Sequence, residues 1–180
     1  MDKQFPFSFI GLIVPDRYWW TTIQTNSLRA KRTSTLQPTK PPTTIVLIGC
    51  SKSKLNEPAP ARELYTGQLF KKAVAWTERQ GHQWFVISAL HGLVAPNQAI
   101  SPYNYSLKDR RRSRERESWA HQIICALVPI HLPKGSRAIL IMPELYRRFI
   151  QPELDRASIT YSNPLQRLAI GKQMQWLDSN

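Results

Sequence analysis

The residues best suited to chemistry stand directly after a short apolar run. Ile45 to Ile48 are apolar and mostly β-branched, which predicts a strand buried on both faces. The next positions carry a thiol, hydroxyl groups and ammonium groups, on Cys50, Ser51, Lys52, Ser53 and Lys54. Ligands of open α/β sheets bind at the carboxyl ends of the strands. We therefore expect Ser51, Lys52 and Lys54 to face a ligand at this strand end.

This loop offers two kinds of chemistry. Hydroxyl and ammonium groups, together with backbone N–H groups, can hold a phosphate or a carboxylate, although the loop lacks the glycines of a nucleoside-triphosphate P-loop. Lys54 can act as a nucleophile or proton donor if burial lowers its pKa, and Cys50 as a nucleophile if nearby lysines favour the thiolate. The alternative is that the lysines are only solvated and that Cys50 is a small buried residue.

A second apolar run shows the same change of character. Residues 84–87 are apolar, and Ser88, His91 and Gly92 follow. A histidine just past a strand end can exchange protons near neutral pH, although it could instead be packed structurally. Neighbouring parallel strands lie about 4.8 Å apart and end at the same edge of the sheet. We therefore expect Ser88 and His91 to share one concave site with Ser51 and Lys54.

Aromatic and hydroxyl side chains elsewhere extend the candidate site. Tyr65 and Thr66 fall at the start of a predicted helix over residues 64–80, where backbone N–H groups favour an anion. Tyr65 could instead pack at the helix start. Tyr103 lies in a predicted structureless loop, residues 92–107, and could stack on a nucleobase or close the core.

The net charge of +13 on 180 residues favours an anionic partner, nucleic acid or a nucleotide first. Part of this charge lies in a basic run over residues 108–116. We expect Arg110, Arg111 and Arg112 to contact phosphates in a salt-sensitive manner. The alternative is that the run is only the solvated start of a helix.

Several classes of protein are disfavoured by what the sequence lacks. Two cysteines, Cys50 and Cys125, make no disulfide framework, which favours a reducing cytoplasm. The four histidines lack metal-ligand spacing, so we expect no metal and no cofactor. No apolar run reaches 18 residues, so we expect no contact with a membrane.

Strand and helix patterns alternate from residue 43 onward. We predict strands near residues 45–48, 84–88, 138–141 and 157–161. The predicted helices cover residues 64–80 and 112–128, a third begins at Pro143 and is limited by Pro152, and a last one has Asn163 as its N-cap. In the second helix, Cys125 is expected to pack as a small apolar residue.

The alternation predicts an α/β three-layer sandwich whose four-stranded parallel sheet has the order 2-1-3-4. Residues 43–180 would form this single domain. Residues 1–42, rich in proline, serine, threonine and basic residues, are expected to be a disordered or loosely ordered tail.

Five motifs together resemble a bacterial and phage domain family of unknown function. They are GCSKSK, ELYTGQLF, SALHGLV, SPYNYSL and PLQRLAIGKQMQWL, and the resemblance covers residues 45–177. That family is similar, more distantly, to YaaA-like proteins and to the archaeosine synthase core, which have a uracil-DNA glycosylase-like fold. The archaeosine synthase core has a Cys-Ser-x-x-Lys stretch and a downstream histidine, so the resemblance implies Cys50, Ser51, Lys54 and His91 as site residues. A water-activating aspartate is lacking after the first strand, which argues against uracil excision.

Two hypotheses follow. In the first, the protein is an enzyme of glycosylase or transferase type that acts on a nucleobase, a nucleotide or a modified base in nucleic acid. Lys54 and Ser51 would then hold an anionic group, His91 would move protons and Tyr103 would position the base. In the second, it is a non-catalytic nucleic-acid-binding protein with a stress or DNA-protection role, as the YaaA-like resemblance implies.

Overall fold

Strands and helices alternate through the part of the chain that the structure describes. The computed structural model describes residues 42–133 and 135–180, with the backbone alone at positions 130 and 131. The strands are β1 (Thr44–Gly49), β2 (Ala59–Pro60), β3 (Gln83–Ser88), β4 (Gly92–Val94), β5 (Ala99–Ile100), β6 (Arg137–Ile141) and β7 (Thr160–Ser162). The helices are α1 (Ala61–Leu64), α2 (Gln68–Arg79), α3 (Ser113–His131), α4 (Glu144–Arg156) and α5 (Ile170–Ser179).

The central sheet has five strands in the order β4-β3-β1-β6-β7. β1 pairs in parallel with β3 and with β6, and β6 pairs in parallel with β7, whereas β4 is antiparallel to β3. The α/β class and the mainly parallel sheet are thus confirmed, but the sheet has five strands rather than four. β2 and β5 form a separate antiparallel pair.

Alternate residues of β1 point to two different cores. Ile45 and Leu47 belong to a buried cluster that includes residues of α3 and α4. Val46 and Ile48 belong to a second cluster, which includes residues of α2 and α5. Because helices cover both faces, all four side chains are buried, as expected of a central parallel strand.

The segments beside the sheet differ from the expectations in two places. Residues 92–107, which we predicted to be structureless, contain β4 and β5, and Gly92 makes the turn into β4 with φ +70°. The helix predicted over residues 64–80 begins instead at Gln68, as α2, and Leu64 is the last residue of the separate short helix α1. This division arises because Tyr65 lies outside both helices and forms an antiparallel bridge with Lys54.

Other differences concern proline, asparagine and cysteine. Pro152 lies inside α4 and does not limit it, and the buried Glu153 and Leu154 keep the following residues against the core. Asn163 is not an N-cap, since α5 begins seven residues later with Ala169 as its N-cap. Cys125 is exposed and does not pack in the core.

Smaller differences concern element boundaries. α3 continues to residue 131, past Pro129, and β7 begins at residue 160 rather than near 157. The predicted tail, residues 1–42, lies outside the described residues except for Pro42, so it stays a prediction. Within the described residues, no helix is long and apolar enough to cross a membrane.

Candidate functional site

The loop after β1 is folded back by backbone hydrogen bonds. The Cys50 N–H donates to the Ile87 carbonyl (3.0 Å), which continues the contact between β1 and β3. The Thr66 N–H then donates to the Ser53 carbonyl (3.0 Å), beside the Lys54–Tyr65 bridge. These bonds hold the loop against the start of α2, at the carboxyl edge of the sheet.

Ser51 fixes the shape of this loop. Its hydroxyl donates to the Ser53 carbonyl (2.7 Å) and accepts a hydrogen bond from the Gly67 N–H (3.3 Å). A β-carbon at Gly67 would lie 2.8 Å from the Ser51 β-carbon, so only glycine allows this approach. Ser51 therefore joins the β1 loop to the residue that precedes α2.

Lys54 turns its ammonium group back over the loop and onto aromatic rings. Its Nζ donates to the carbonyls of Ser51 (3.1 Å) and Lys52 (3.2 Å). The same atom lies 4.2 Å from the centre of the Tyr103 ring and 5.6 Å from that of Tyr65, where the ring faces attract a cation. Burial lowers the pKa of Lys54, an effect that Cys50 opposes. An ammonium has three N–H donors, so one stays available to a ligand.

Tyr103 connects the β1 loop with the last residue of β3 and with the turn that follows it. Its hydroxyl shares hydrogen bonds with Ser88 (2.7 Å) and Tyr65 (2.9 Å). The Ser88 hydroxyl also accepts a hydrogen bond from the His91 N–H (3.0 Å). The His91 ring meets the Tyr103 ring edge to face, with the ring centres 5.1 Å apart. Lys54 and His91 therefore lie against the same aromatic ring, although they follow different strands.

Burial raises the pKa of three tyrosine side chains at or beside the candidate site. It raises the pKa of Tyr65 to about 12, and it raises the pKa of Tyr103 and Tyr146 well above the ordinary tyrosine value, with Cys50 adding to both shifts. The three hydroxyl groups therefore stay protonated, as hydrogen-bond donors, even at an alkaline pH at which an exposed tyrosine ionises.

Two buried aromatic residues outside the predicted site, Tyr146 and Trp119, contact Cys50 and Ser88 respectively. The Cys50 sulfur is 3.4 Å from the hydroxyl of Tyr146 on α4. Tyr146 packs edge to face on Trp119 (5.5 Å between ring centres), and the Trp119 indole N–H donates to the Ser88 carbonyl (3.0 Å). A buried tyrosine or tryptophan needs a hydrogen-bond partner for its polar atom. This need was the feature of the sequence that could have indicated that Tyr146 and Trp119 contact site residues.

The basic run is divided between two environments. The Arg110 guanidinium donates to the Ala89 carbonyl (3.3 and 3.2 Å) and lies over the Tyr105 ring. It therefore holds the backbone after β3. Arg111 and Arg112 are exposed just before α3.

The structure gathers most of the candidate residues into one group, which we call the Tyr103 cluster. It consists of Cys50, Ser51, Lys54, Tyr65, Ser88, His91 and Tyr103. The Lys52 side chain is exposed beside it, and the half-buried Thr66 contributes its N–H to the loop. His91 also lines a cavity of about 240 Å³, together with Arg110 and Trp119.

The chemistry of the Tyr103 cluster is that of proton donors and a cation. It contains a thiol, an ammonium, an imidazole and phenols, but no carboxylate. Within residues 42–133 and 135–180, no group of three or more histidine, cysteine or acidic side chains could hold a metal ion. The cluster is therefore suited to binding an anionic or carbonyl oxygen and to moving a proton nearby.

Comparison with known proteins assigns the chain to a family. Residues 45–179 match a family of unknown function, DUF6884. The chain belongs to this family, and the match includes the whole Tyr103 cluster. No curated protein and no solved structure matches it significantly.

Proposed function

We propose that this member of the DUF6884 family is an enzyme that acts on a nucleobase, a nucleotide or a modified base in nucleic acid. One observation carries the proposal. The Lys54 ammonium and the His91 imidazole lie against the same Tyr103 ring, at the edge of the sheet where ligands bind in open α/β folds. A cation that binds oxygen and a group that exchanges protons are thereby brought to one place.

Each side chain has a distinct role in this proposal. Lys54 uses its remaining N–H to bind a phosphate or carbonyl oxygen, and the partly desolvated ammonium strengthens that bond. His91 exchanges a proton with the substrate, since its side chain is exposed beside the cluster. Tyr103 positions Lys54 and His91, because its hydroxyl is already shared between Ser88 and Tyr65. Cys50 is the candidate nucleophile.

The architecture supports the more distant resemblance. Four parallel strands, β3-β1-β6-β7, lie between two layers of helices, in keeping with a uracil-DNA glycosylase-like fold. The positions that the archaeosine synthase core implies, namely Cys50, Ser51, Lys54 and His91, all belong to the Tyr103 cluster. Because the cluster has no carboxylate to activate water, we propose base exchange rather than hydrolytic excision: the glycosidic bond to the leaving base breaks, and a bond from the same sugar to an incoming free base forms.

The alternative is a non-catalytic nucleic-acid-binding protein of the YaaA-like kind. It is favoured by the net charge of +13 and by Lys54, which gives two of its three N–H donors to its own loop. In that case the Tyr103 cluster would bind phosphate and no reaction would follow.

A turnover screen separates the two functions. The protein is incubated with free nucleotides and with oligonucleotides containing all four bases, each together with free nucleobases as the incoming groups for exchange, and the products are identified by mass spectrometry. We expect Lys54→Ala and His91→Ala each to abolish product formation. Removal of the exposed His91 side chain should change the free energy of unfolding by less than about 1 kcal/mol, whereas Lys54→Ala should lower it by about 1–3 kcal/mol because two loop carbonyls lose a charged donor. Lys71→Ala is the matched control, because this lysine is exposed on α2.

The outcomes of the screen are distinct. Loss of product in both cluster variants, with oligonucleotide binding retained, supports the enzyme. If the wild-type protein forms no product and Lys54→Ala loses oligonucleotide binding, the protein is a binding module and the proposal is wrong.

A further inference from the structure

A second concave region lies at the carboxyl end of β6, apart from the Tyr103 cluster. It consists of two adjoining cavities of about 590 Å³ each, which share Glu144, Arg147 and Arg167. We call it the β6 groove. Ligand sites are commonly about 300–1,000 Å³ in volume, so the groove is large enough for a nucleotide unit.

The two halves of the β6 groove differ in chemistry. The first half is lined largely by apolar side chains, among them Met142, Leu165, Leu168 and Ile170. Ile170 is 59% exposed, so this part of the apolar surface is open to a ligand. The second half is lined by arginine, glutamine and Glu144 only. An apolar surface therefore lies directly beside a cationic one.

Helical spacing places the charged residues of α4 in this groove. Glu144, Arg147, Arg148 and Gln151 are spaced i, i+3, i+4 and i+7, so they share one face of the helix. The opposite face buries apolar residues such as Ile150. The sequence pattern of α4 thus presents two guanidinium groups to the groove.

The three arginines of the groove are not neutralised. Among the described residues, Arg147, Arg148 and Arg167 form no ion pair with an acidic side chain. Arg147 makes one hydrogen bond, to the Met142 carbonyl (2.7 Å). Three guanidinium groups thus face one carboxylate, so the groove favours an anionic ligand.

Arg167 adds an observation about the backbone. Its φ of +64° is in the left-handed region, which is unfavourable by roughly 1–2 kcal/mol for a residue with a β-carbon. Glycine adopts this conformation without strain. Arg167 occupies this position although glycine would be less strained, and it lines both halves of the groove.

We propose that the β6 groove binds single-stranded nucleic acid. The arginines bind the phosphates, since a guanidinium matches phosphate geometry with paired N–H donors. The apolar half takes up bases, which are available for such contacts only where the strand is unpaired.

The groove also lies beside the β1 loop. A β-carbon built on Gly49 would be 2.8 Å from that of Met142, and Cys50 contacts Tyr146, the neighbour of Arg147. A strand bound in the groove would therefore lead to the Tyr103 cluster. This last step rests on the proposed function, whereas binding in the groove does not.

The test is a titration of the full chain with a fluorescein-labelled oligothymidylate, followed by anisotropy at several salt concentrations. The groove variant is Arg148→Gln/Arg167→Gly, in which glycine also relieves the left-handed strain. The control is Lys71→Gln/Arg137→Gln, which removes the same charge from exposed positions outside the groove lining.

We expect the groove variant to bind the strand about tenfold more weakly or worse, with a melting temperature no lower than that of the wild type. Its salt slope should also decrease by about 0.7 for each lost phosphate contact. An affinity and slope equal to those of the control would overturn the proposal. So would displacement of the strand by thymidine monophosphate at equal phosphate concentration, since the groove would then accept free nucleotides equally well.

Lys54→Ala in the same titration separates this proposal from the proposed function. Strand binding that persists in Lys54→Ala but falls in the groove variant supports the groove whether or not a reaction is found. Strand binding that falls in Lys54→Ala and is unchanged in the groove variant places the strand at the Tyr103 cluster and overturns the groove.

Discussion

At the scale of single residues, Tyr103 holds the candidate site together. Its hydroxyl joins Ser88 and Tyr65, and its ring contacts both Lys54 and His91. The charged and proton-exchanging groups therefore depend for their positions on a residue that does not itself need to react. Tyr65 shares this hydrogen-bond network, and its ionisation is a means of probing it.

The pKa of Tyr65 predicts how stability changes at alkaline pH. Burial raises this pKa to about 12 in the folded protein, against about 10 for a tyrosine in an unfolded chain. Below about pH 10 both states are protonated, so the contribution to stability is fully present. Between about pH 10 and 12 the unfolded state loses the proton first, so stability decreases as pH rises.

Tyr65→Phe should remove this part of the pH dependence. Denaturant unfolding of the wild type and the variant, measured from about pH 9 to 12, gives the difference in free energy of unfolding at each pH. We expect this difference to shrink as pH rises through that range. A difference that is constant with pH would show that Tyr65 ionises normally.

At the scale of elements, the carboxyl end of β1 is crowded by the start of α4. A β-carbon at Gly49 would be 2.8 Å from the Met142 β-carbon and 2.9 Å from the Pro143 δ-carbon. The close approach brings the β1 loop, α4 and the β6 groove to one edge of the sheet. Glycine is required at the end of β1 because any side chain would push these elements apart.

Gly49→Ala should therefore lower the free energy of unfolding by about 1–3 kcal/mol through overpacking. Gly171→Ala provides the comparison, because a β-carbon there meets nothing within 4 Å and the residue lies in α5. Because alanine is favoured over glycine in a helix, Gly171→Ala should raise the free energy of unfolding by about 0.5 kcal/mol. Equal effects of the two substitutions in thermal or denaturant melts would contradict the crowding at β1.

The elements that the sequence predicted best are those determined by local pattern. Four consecutive apolar residues, 45–48, predicted the buried strand β1. Of the two residues expected to follow the neighbouring strand, His91 does so, whereas Ser88 is the last residue of β3. Two features were not predicted: the interruption between α1 and α2 at Tyr65, and the hydrogen bond that the Arg110 guanidinium donates to the Ala89 carbonyl. Both depend on partners distant in the sequence, about which local propensity says nothing.

The groove arginines were missed for a related reason. Arg147 and Arg148 were part of a predicted helix, but nothing in the sequence showed that Arg167 would lie beside them. The expected N-cap at Asn163 would have placed Arg167 inside a helix. The segment is instead a turn, and this turn gives Arg167 its left-handed backbone.

At the scale of the whole molecule, a net charge of +13 predicts salt-sensitive binding to nucleic acid. The structure refines which part of the basic run can contribute. Arg110 is engaged with the Ala89 carbonyl, whereas Arg111 and Arg112 are exposed.

Arg111→Gln/Arg112→Gln should accordingly reduce the salt slope of oligonucleotide binding by about 0.7 per lost contact, without altering the melting temperature. Arg110→Gln should instead lower the melting temperature, because the Ala89 carbonyl loses a charged donor. A salt slope unchanged in the double variant would mean that these residues are only the solvated start of α3.

The central claim, that Lys54 and His91 belong to one nucleic-acid site, can be measured by chemical protection. Diethyl pyrocarbonate modifies both side chains, and mass spectrometry reports each position while an oligonucleotide containing all four bases is titrated. Lys71 and His82 serve as references on the same molecules. The account predicts that modification of Lys54 and His91 decreases together, with one half-maximal oligonucleotide concentration, while the references stay constant. Protection of neither residue, or protection at two different concentrations, would contradict it.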